Sequence, residues 1–382
     1  MTRYRWAVLG AGTFAQTTYS AIWYGVAVAA PALRREYGLT LTQTGLLLSL
    51  SSLGSLVSLI PWGIATDRVG ERAVLVLGLS TCGCALVGVA FAHGFAALAL
   101  LLLAAGATGA GIQSASGRAV MHWFPAGERG LALGLRQTAV PVSGFLVSLG
   151  LPPIEHAGGV AWAFAAMGIA CLAGAAVGGL VVREGPGRAE ASAAPAVSPL
   201  RDARLWRLSV ASTLVIAPQM CVVGFAVVFL HDRRDLTTSS AAAILAVMQL
   251  LAIGARVAAG RWSDLVRSRL VPFRRIALSA AALVAATGLL VAAPLAALVP
   301  VLVAGGVVAM SWNSLSFAAA VELAGHERSG LAIGLQQTML SLSAVYPTAF
   351  GALVGATSWQ VAFVSVAAFP LVGWRVLRAL PG

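Results

Sequence analysis

Three arginines stand where a chain this apolar should hold no charge. Arg118, Arg136 and Arg256 each lie inside a run of apolar residues long enough to cross a bilayer. A charge at the bilayer centre costs about 2.5–3.5 kcal/mol on insertion scales, so such a residue normally faces a bundle interior or a wet cavity. A guanidinium is planar, and its paired N–H donors match the two oxygens of a carboxylate or nitrate. The chemistry implied is recognition of a small anion. Arg256 lies two turns before Asp264, Arg118 five residues before Trp123, and Arg136 about two turns into its run. Arg118 and Arg256 are the expected substrate contacts. Arg136 reads as structural, and its replacement by Gln, the residue at position 336, is expected to be mild.

Polar and aromatic side chains that such a site would add are Gln16, Tyr19, Trp23, Gln113, Gln219, Gln249, Trp312, Asn313, Gln337 and Tyr346. A buried amide in lipid more often binds one helix to another, so each of these has a structural reading beside the functional one. Carboxylates are scarce. Ala252 stands one turn before Arg256, and Glu322 is the one acid expected within a span, as a partner for Arg328 or for an Arg of spans 8–9. Cys82, Cys84, Cys171 and Cys221 lie in apolar runs without a neighbouring His and read as packing residues. No metal or other cofactor is expected.

The elements that must hold these residues follow from composition. Of 382 residues, 59% are hydrophobic and 10% charged, against about 25% charged in a soluble protein. Twelve apolar stretches run from residues 6–31 to 358–379, each about 20 residues or longer. That length crosses a hydrocarbon core of roughly 30 Å as a helix, and in lipid a helix satisfies its own backbone. The expected architecture is all-α and integral to the membrane: twelve transmembrane helices as two pseudo-symmetric six-helix bundles. The formal charge of +12 is carried by arginine, without the clustered Arg and interleaved aromatics of a nucleic-acid surface. The partners expected are a lipid bilayer and a small anion, with no nucleic acid and a functional monomer. With the N-terminus in the cytoplasm, eighteen arginines fall on the cytoplasmic side and four on the other. The positive-inside rule then places both termini in the cytoplasm.

The halves repeat one another. Gly130–Thr138, GLALGLRQT, is matched by Gly330–Thr338, GLAIGLQQT, at an offset of 200, with Glu128-Arg129 before the first copy and Glu327-Arg328 before the second. Trp62-Gly63-Ile-Ala-Thr-Asp67 is echoed by Gly260-Arg-Trp-Ser-Asp264. Such a repeat implies paired bundles with a site near the midplane. Residues 183–205, rich in Pro, Ala and Ser, read as a cytoplasmic linker between an N-terminal bundle, 1–182, and a C-terminal bundle, 206–382.

On these residues the chain resembles the major facilitator superfamily over essentially its whole length. Gly63-Ile-Ala-Thr-Asp67-Arg68-Val-Gly70-Glu-Arg72 is similar to that family's loop between spans 2 and 3; the second copy, Gly260 to Asp264, lacks its second Gly. The resemblance implies a permease, not an enzyme, that works by alternating access. It assigns gating to Gly63, Asp67, Arg68, Arg72, Asp264, Glu322 and Arg328, with Gly63 as a close helix approach. Arg256 to Asp264 resembles span 8 of the nitrate and monocarboxylate branches, and Arg118 to Pro125 resembles span 4 of the organic-anion branch. There the basic residue holds the anion, which implies Arg256 and Arg118 on one central cavity in the cytoplasmic (inner) membrane. Span 5 lacks the Gly-rich nitrate signature, so an organic, carboxylate-like anion is expected first. A nitrate- or cyanate-type anion, or proton-driven efflux of a drug or metabolite, is the alternative.

Overall fold

Among the described residues the chain folds into fifteen α-helices and no strand. The computed structural model describes residues 3–125, 129–183, 202–324 and 329–380. The first seven helices are α1 (Tyr4–Tyr37), α2 (Leu41–Val69), α3 (Glu71–Gly88), α4 (Phe95–Gly109), α5 (Gly111–Trp123), α6 (Arg129–Gln137) and α7 (Ala139–Val181). The remaining eight are α8 (Ala203–Arg234), α9 (Thr238–Leu265), α10 (Leu270–Leu289), α11 (Leu295–Ala309), α12 (Asn313–Ala324), α13 (Ser329–Ser341), α14 (Val345–Ala356) and α15 (Trp359–Arg378).

Fifteen helices make twelve spans because some spans are broken and one helix holds two. Phe95–Val120, Leu295–Ala324 and Gly334–Ala356 each cross once as a pair, α4 with α5, α11 with α12 and α13 with α14, and α6 runs on into α7 within Gly134–Val181. In α7, Pro152 and Pro153 precede Gly159, whose φ of 72° turns the chain between two spans. Nine stretches among the described residues are long and apolar enough to cross a membrane. The 34 residues of α1 are long enough as well, at about 1.5 Å per residue.

The chain divides into two compact units: Met1–Leu39 with Leu47–Ser192, and Thr40–Leu46 with Ala193–Gly382. The start of α2, expected in the first bundle, groups with the second unit because it packs on α14, where a Cβ on Gly351 would lie 2.3 Å from the Leu41 carbonyl oxygen. Most of the expected linker, 184–201, lies outside the described residues, as do Glu128, Glu327 and Arg328.

Each unit is built around one helix buried on most of its faces. In the first this is α1, packed on α5 and α7; in the second it is α8, packed on α13 and α15. Helices α2 and α4 touch backbone to backbone: a Cβ on Gly106 would lie 2.0 Å from the Ser51 carbonyl oxygen, and one on Gly54 would lie 2.2 Å from that of Leu103. Gly63 corrects an expectation. A Cβ there would meet nothing within 4 Å, so the close approach lies two to three turns earlier on α2.

Candidate functional site

Two of the broken spans, the fourth and the tenth, expose backbone that other helices then cap. In span 4 the break falls between α4 and α5, and in span 10 at Met310–Trp312. A carbonyl leaving the helical ladder inside a membrane needs a new donor. Near the first break, Trp62 Nε1 donates to the Ala107 carbonyl at 2.8 Å, and Tyr19 Oη donates to that of Gly106 at 3.2 Å. At the second, Arg256 Nε donates to the Met310 carbonyl at 2.8 Å. Arg256 thus holds a broken helix, half-buried on the face of α9 that Gln249 occupies two turns earlier.

In the first unit an acid sits inside the fold. Glu71, the first residue of α3, is 3% exposed. Its Oε1 lies 2.8 Å from Nδ1 of His122 and 3.3 Å from Nε of Arg118, both on α5. A carboxylate in the first turn of a helix also suits the positive end of the helix dipole. Two residues before Arg118 and toward the other face of α5, Ser116 begins a second polar cluster with Gln16 of α1 and Arg136 of α6. Arg136 is 7% exposed. Its Nη1 donates to Ser116 Oγ at 3.1 Å and more loosely to Gln16 Oε1 at 3.5 Å, and its Nε has no acceptor among the described residues.

The second unit repeats both clusters with altered chemistry. Arg269, just before α10, donates to Glu322 Oε1 at 2.8 Å, to Ser263 Oγ at 2.5 Å, and to Asp264. Burial alone would lower the affinity of Arg269 for its proton, but the hydrogen bonds and charges of Glu322 and Asp264 raise it overall. These groups line a surface hollow of about 270 Å³. Glu322 stands at an offset of 200 from His122, and Arg269 at 198 from Glu71, so acid and base have exchanged helices between the units. The counterpart of the Arg136 cluster is neutral. Gln336 Oε1 accepts from Ser209 Oγ at 2.7 Å and its amide donates to Ser316 Oγ, which shares a 2.7 Å hydrogen bond with Ser212.

Comparison with known proteins decides what this arrangement belongs to. The model of the Major Facilitator Superfamily matches residues 12–346. An uncharacterized MFS-type transporter of Mycobacterium tuberculosis (strain CDC 1551 / Oshkosh) is 35% identical over 385 residues, covering 99% of this chain and 86% of the relative. The chain belongs to the major facilitator superfamily. It is a multi-pass membrane transporter and not an enzyme. A probable sulfoacetate transporter of Cupriavidus necator is 31% identical over 147 residues, 38% of this chain and 34% of that one. The fold is similar to that of a bacterial homologue of the human lysosomal transporter Spinster in an inward-facing, occupied conformation. The TM-score is 0.84 at 17% identity, covering 98% of this chain and 96% of the other.

For the site expected in this superfamily member, the structure sorts the residues by what already holds them. Arg118 has Glu71, so its charge is neutralised within its own unit. Tyr19 and Trp312, expected to face a ligand, are fully buried. The Tyr19 hydroxyl hydrogen-bonds Ser55 at 2.6 Å; Trp312 stacks on Phe273 and donates to Ala309. Tyr346 donates to the Thr213 carbonyl at 3.0 Å. Gln113 and Gln337 are half-buried on α5 and α13. By contrast, Gln219 Oε1, both amide atoms of Gln249, Asn313 Oδ1 and Trp23 Nε1 are buried without a hydrogen-bond partner among the described residues. Of the gating set, Arg68 and Arg72 are exposed, and Asp264 and Glu322 share Arg269. The Asp67 side chain lies outside the described part. The Arg269–Glu322 pair is the partner expected for Glu322 among the arginines of spans 8–9, whereas sequence reasoning missed Glu71 and the Ser116–Ser316 pair. The offset of 200 that aligned Gln137 with Gln337 also aligns the two serines and would have found them.

Proposed function

We propose that this transporter is a secondary active carrier that moves a small organic anion across the bacterial cytoplasmic membrane by alternating access. The observation that carries the reading is the second unit's polar set. Arg256 lies at membrane depth with Gln249 two turns earlier on the same face of α9, and the buried Nε2 donor of Gln249 has no hydrogen-bond partner among the described residues. Buried polar donors are nearly always hydrogen-bonded, so an unpaired amide N–H on the helix face that carries a guanidinium supports a site for a polar anion. The partial relative named for sulfoacetate supports the same class, since that molecule carries a carboxylate and a sulfonate. Export of a lipophilic cation is less well supported, because the buried acid of the first unit, Glu71, is committed to Arg118 and His122.

The test is uptake into proteoliposomes loaded with, and offered, a panel of acetate, malonate, glucuronate and sulfoacetate. Saturable exchange of at least one anion is expected. Arg256→Ala should lower it by ten-fold or more in protein of normal expression and monodispersity. Wild-type rates in Arg256→Ala would remove this residue from the site.

A further inference from the structure

Arg136 is the arginine least expected to meet a substrate, and it has no partner of opposite charge among the described residues. Two clusters occupy equivalent places in the two units: Ser116 with Arg136, and Ser316 with Gln336, each pair at an offset of 200. In the second unit the cluster is neutral and complete. Gln336, fully buried, has its oxygen and its nitrogen each bonded to a serine. The same position in the first unit therefore needs only an amide to join its helices.

It holds a guanidinium instead, 7% exposed. Of that guanidinium's donors, Nη1 reaches Ser116 at 3.1 Å and Gln16 at 3.5 Å, the second near the limit of a hydrogen bond. Nε finds nothing, and no carboxylate lies within ion-pair distance among the described residues. The nearby buried acid, Glu71, is already shared by Arg118 and His122. A buried charge without a counter-ion is strongly unfavourable, and where a neutral residue does the structural work next door the charge needs another explanation.

We propose that Arg136, with Gln16 and Ser116, is an anion-binding point within the first unit that takes a carboxylate or sulfonate group of the substrate. Ser116 fixes the orientation: its hydroxyl donates to the Ile112 carbonyl at 2.5 Å and accepts from Nη1, which leaves the Nε edge for the ligand. That edge presents parallel donors to two oxygens of one acid group. The Gln16 amide, held to Ser20 at a long 3.3 Å, is placed to turn toward the same group. Gly117 packs beside the guanidinium, where a Cβ would lie at van der Waals distance, 3.6 Å, from Nη2.

The proposal rests on the organic-anion reading above, and its test separates the two. Wild type, Arg136→Gln and Arg136→Lys are purified in detergent, and binding of sulfoacetate, glucuronate and malonate is followed by calorimetry alongside melting temperature. Exchange of the tightest-bound anion is then measured in proteoliposomes. Arg136→Gln should melt no lower than wild type, because a glutamine amide there can bond Ser116 as Gln336 bonds Ser316, yet bind the anion at least ten-fold more weakly. Arg136→Lys keeps the charge but loses the fork, and should weaken binding about five-fold with normal melting. Wild-type affinity in a folded Arg136→Gln, or in Arg136→Lys should the Gln variant misfold, overturns the site while leaving anion transport standing. No binding or exchange of any panel anion by wild type overturns the anion reading and this site with it.

Discussion

Glu71 is the residue whose removal should be felt most in stability. It is buried and faces two bases, so Glu71→Gln leaves Arg118 at membrane depth without its carboxylate. Breaking a fully buried pair costs about 3–5 kcal/mol. Arg118 keeps 28% of its side chain exposed, so solvent screening brings the expected loss to about 1–3 kcal/mol. The expected readout is a lower melting temperature in detergent. Removing the stranded charge as well should restore part of the loss, so Glu71→Gln/Arg118→Gln should melt above Glu71→Gln alone. If the double variant is instead the sum of the singles, the two residues are not coupled. The same cycle addresses the role expected of Arg118 as an anion contact, since a residue spent on Glu71 should lose stability and transport together when changed.

At the scale of elements, the broken spans and the glycine contacts divide the work of holding each unit. The α2–α4 contact leaves no room for a methyl group at Gly106, whose Cβ would overlap the Ser51 backbone. Gly106→Ala must push the helices apart, and overpacking of this kind costs about 1–3 kcal/mol. Gly63→Ala meets open space on a helix and should be neutral or slightly stabilising, by up to about 1 kcal/mol from helix propensity. Melting of the two variants side by side checks the reassignment; a Gly63→Ala loss equal to that of Gly106→Ala would restore the sequence-based assignment. Trp62→Phe is a third probe. It keeps the ring but removes the 2.8 Å hydrogen bond to the Ala107 carbonyl beside the break in span 4. A buried carbonyl left unpaired costs about 1–3 kcal/mol. Outside the membrane, Asp202 caps α8 by accepting from the backbone N–H of Arg204 at 2.8 Å. The Arg204 side chain holds its carboxyl below the usual range, so this cap is present above that range and is lost as pH falls through the lowered value.

For the whole molecule, the twelve spans and the repeat were legible because both depend on residue type and spacing alone: apolar length sets a crossing, and GLALGLRQT against GLAIGLQQT sets a register. The partners of the charges were not legible. Glu71 sits in a stretch that reads as a charged loop, and only the fold turns it onto His122 one helix away. Gly63 failed for a related reason, since a motif glycine and a packing glycine look alike until the neighbouring helix is placed. Orientation across the bilayer is the property that sequence still argues better than structure, because it depends on where insertion deposits arginine. With eighteen arginines assigned to one face and four to the other, the positive-inside rule leads us to propose that both termini and residues 183–205 are cytoplasmic. Single-cysteine labelling checks this in a background lacking Cys82, Cys84, Cys171 and Cys221. A cysteine at Ala194 should react with a membrane-impermeant maleimide in inside-out vesicles and stay unlabelled in intact cells. A cysteine at His93, between α3 and α4, should do the reverse. Labelling of Ala194→Cys from outside would mean that the arginine bias does not set the topology here.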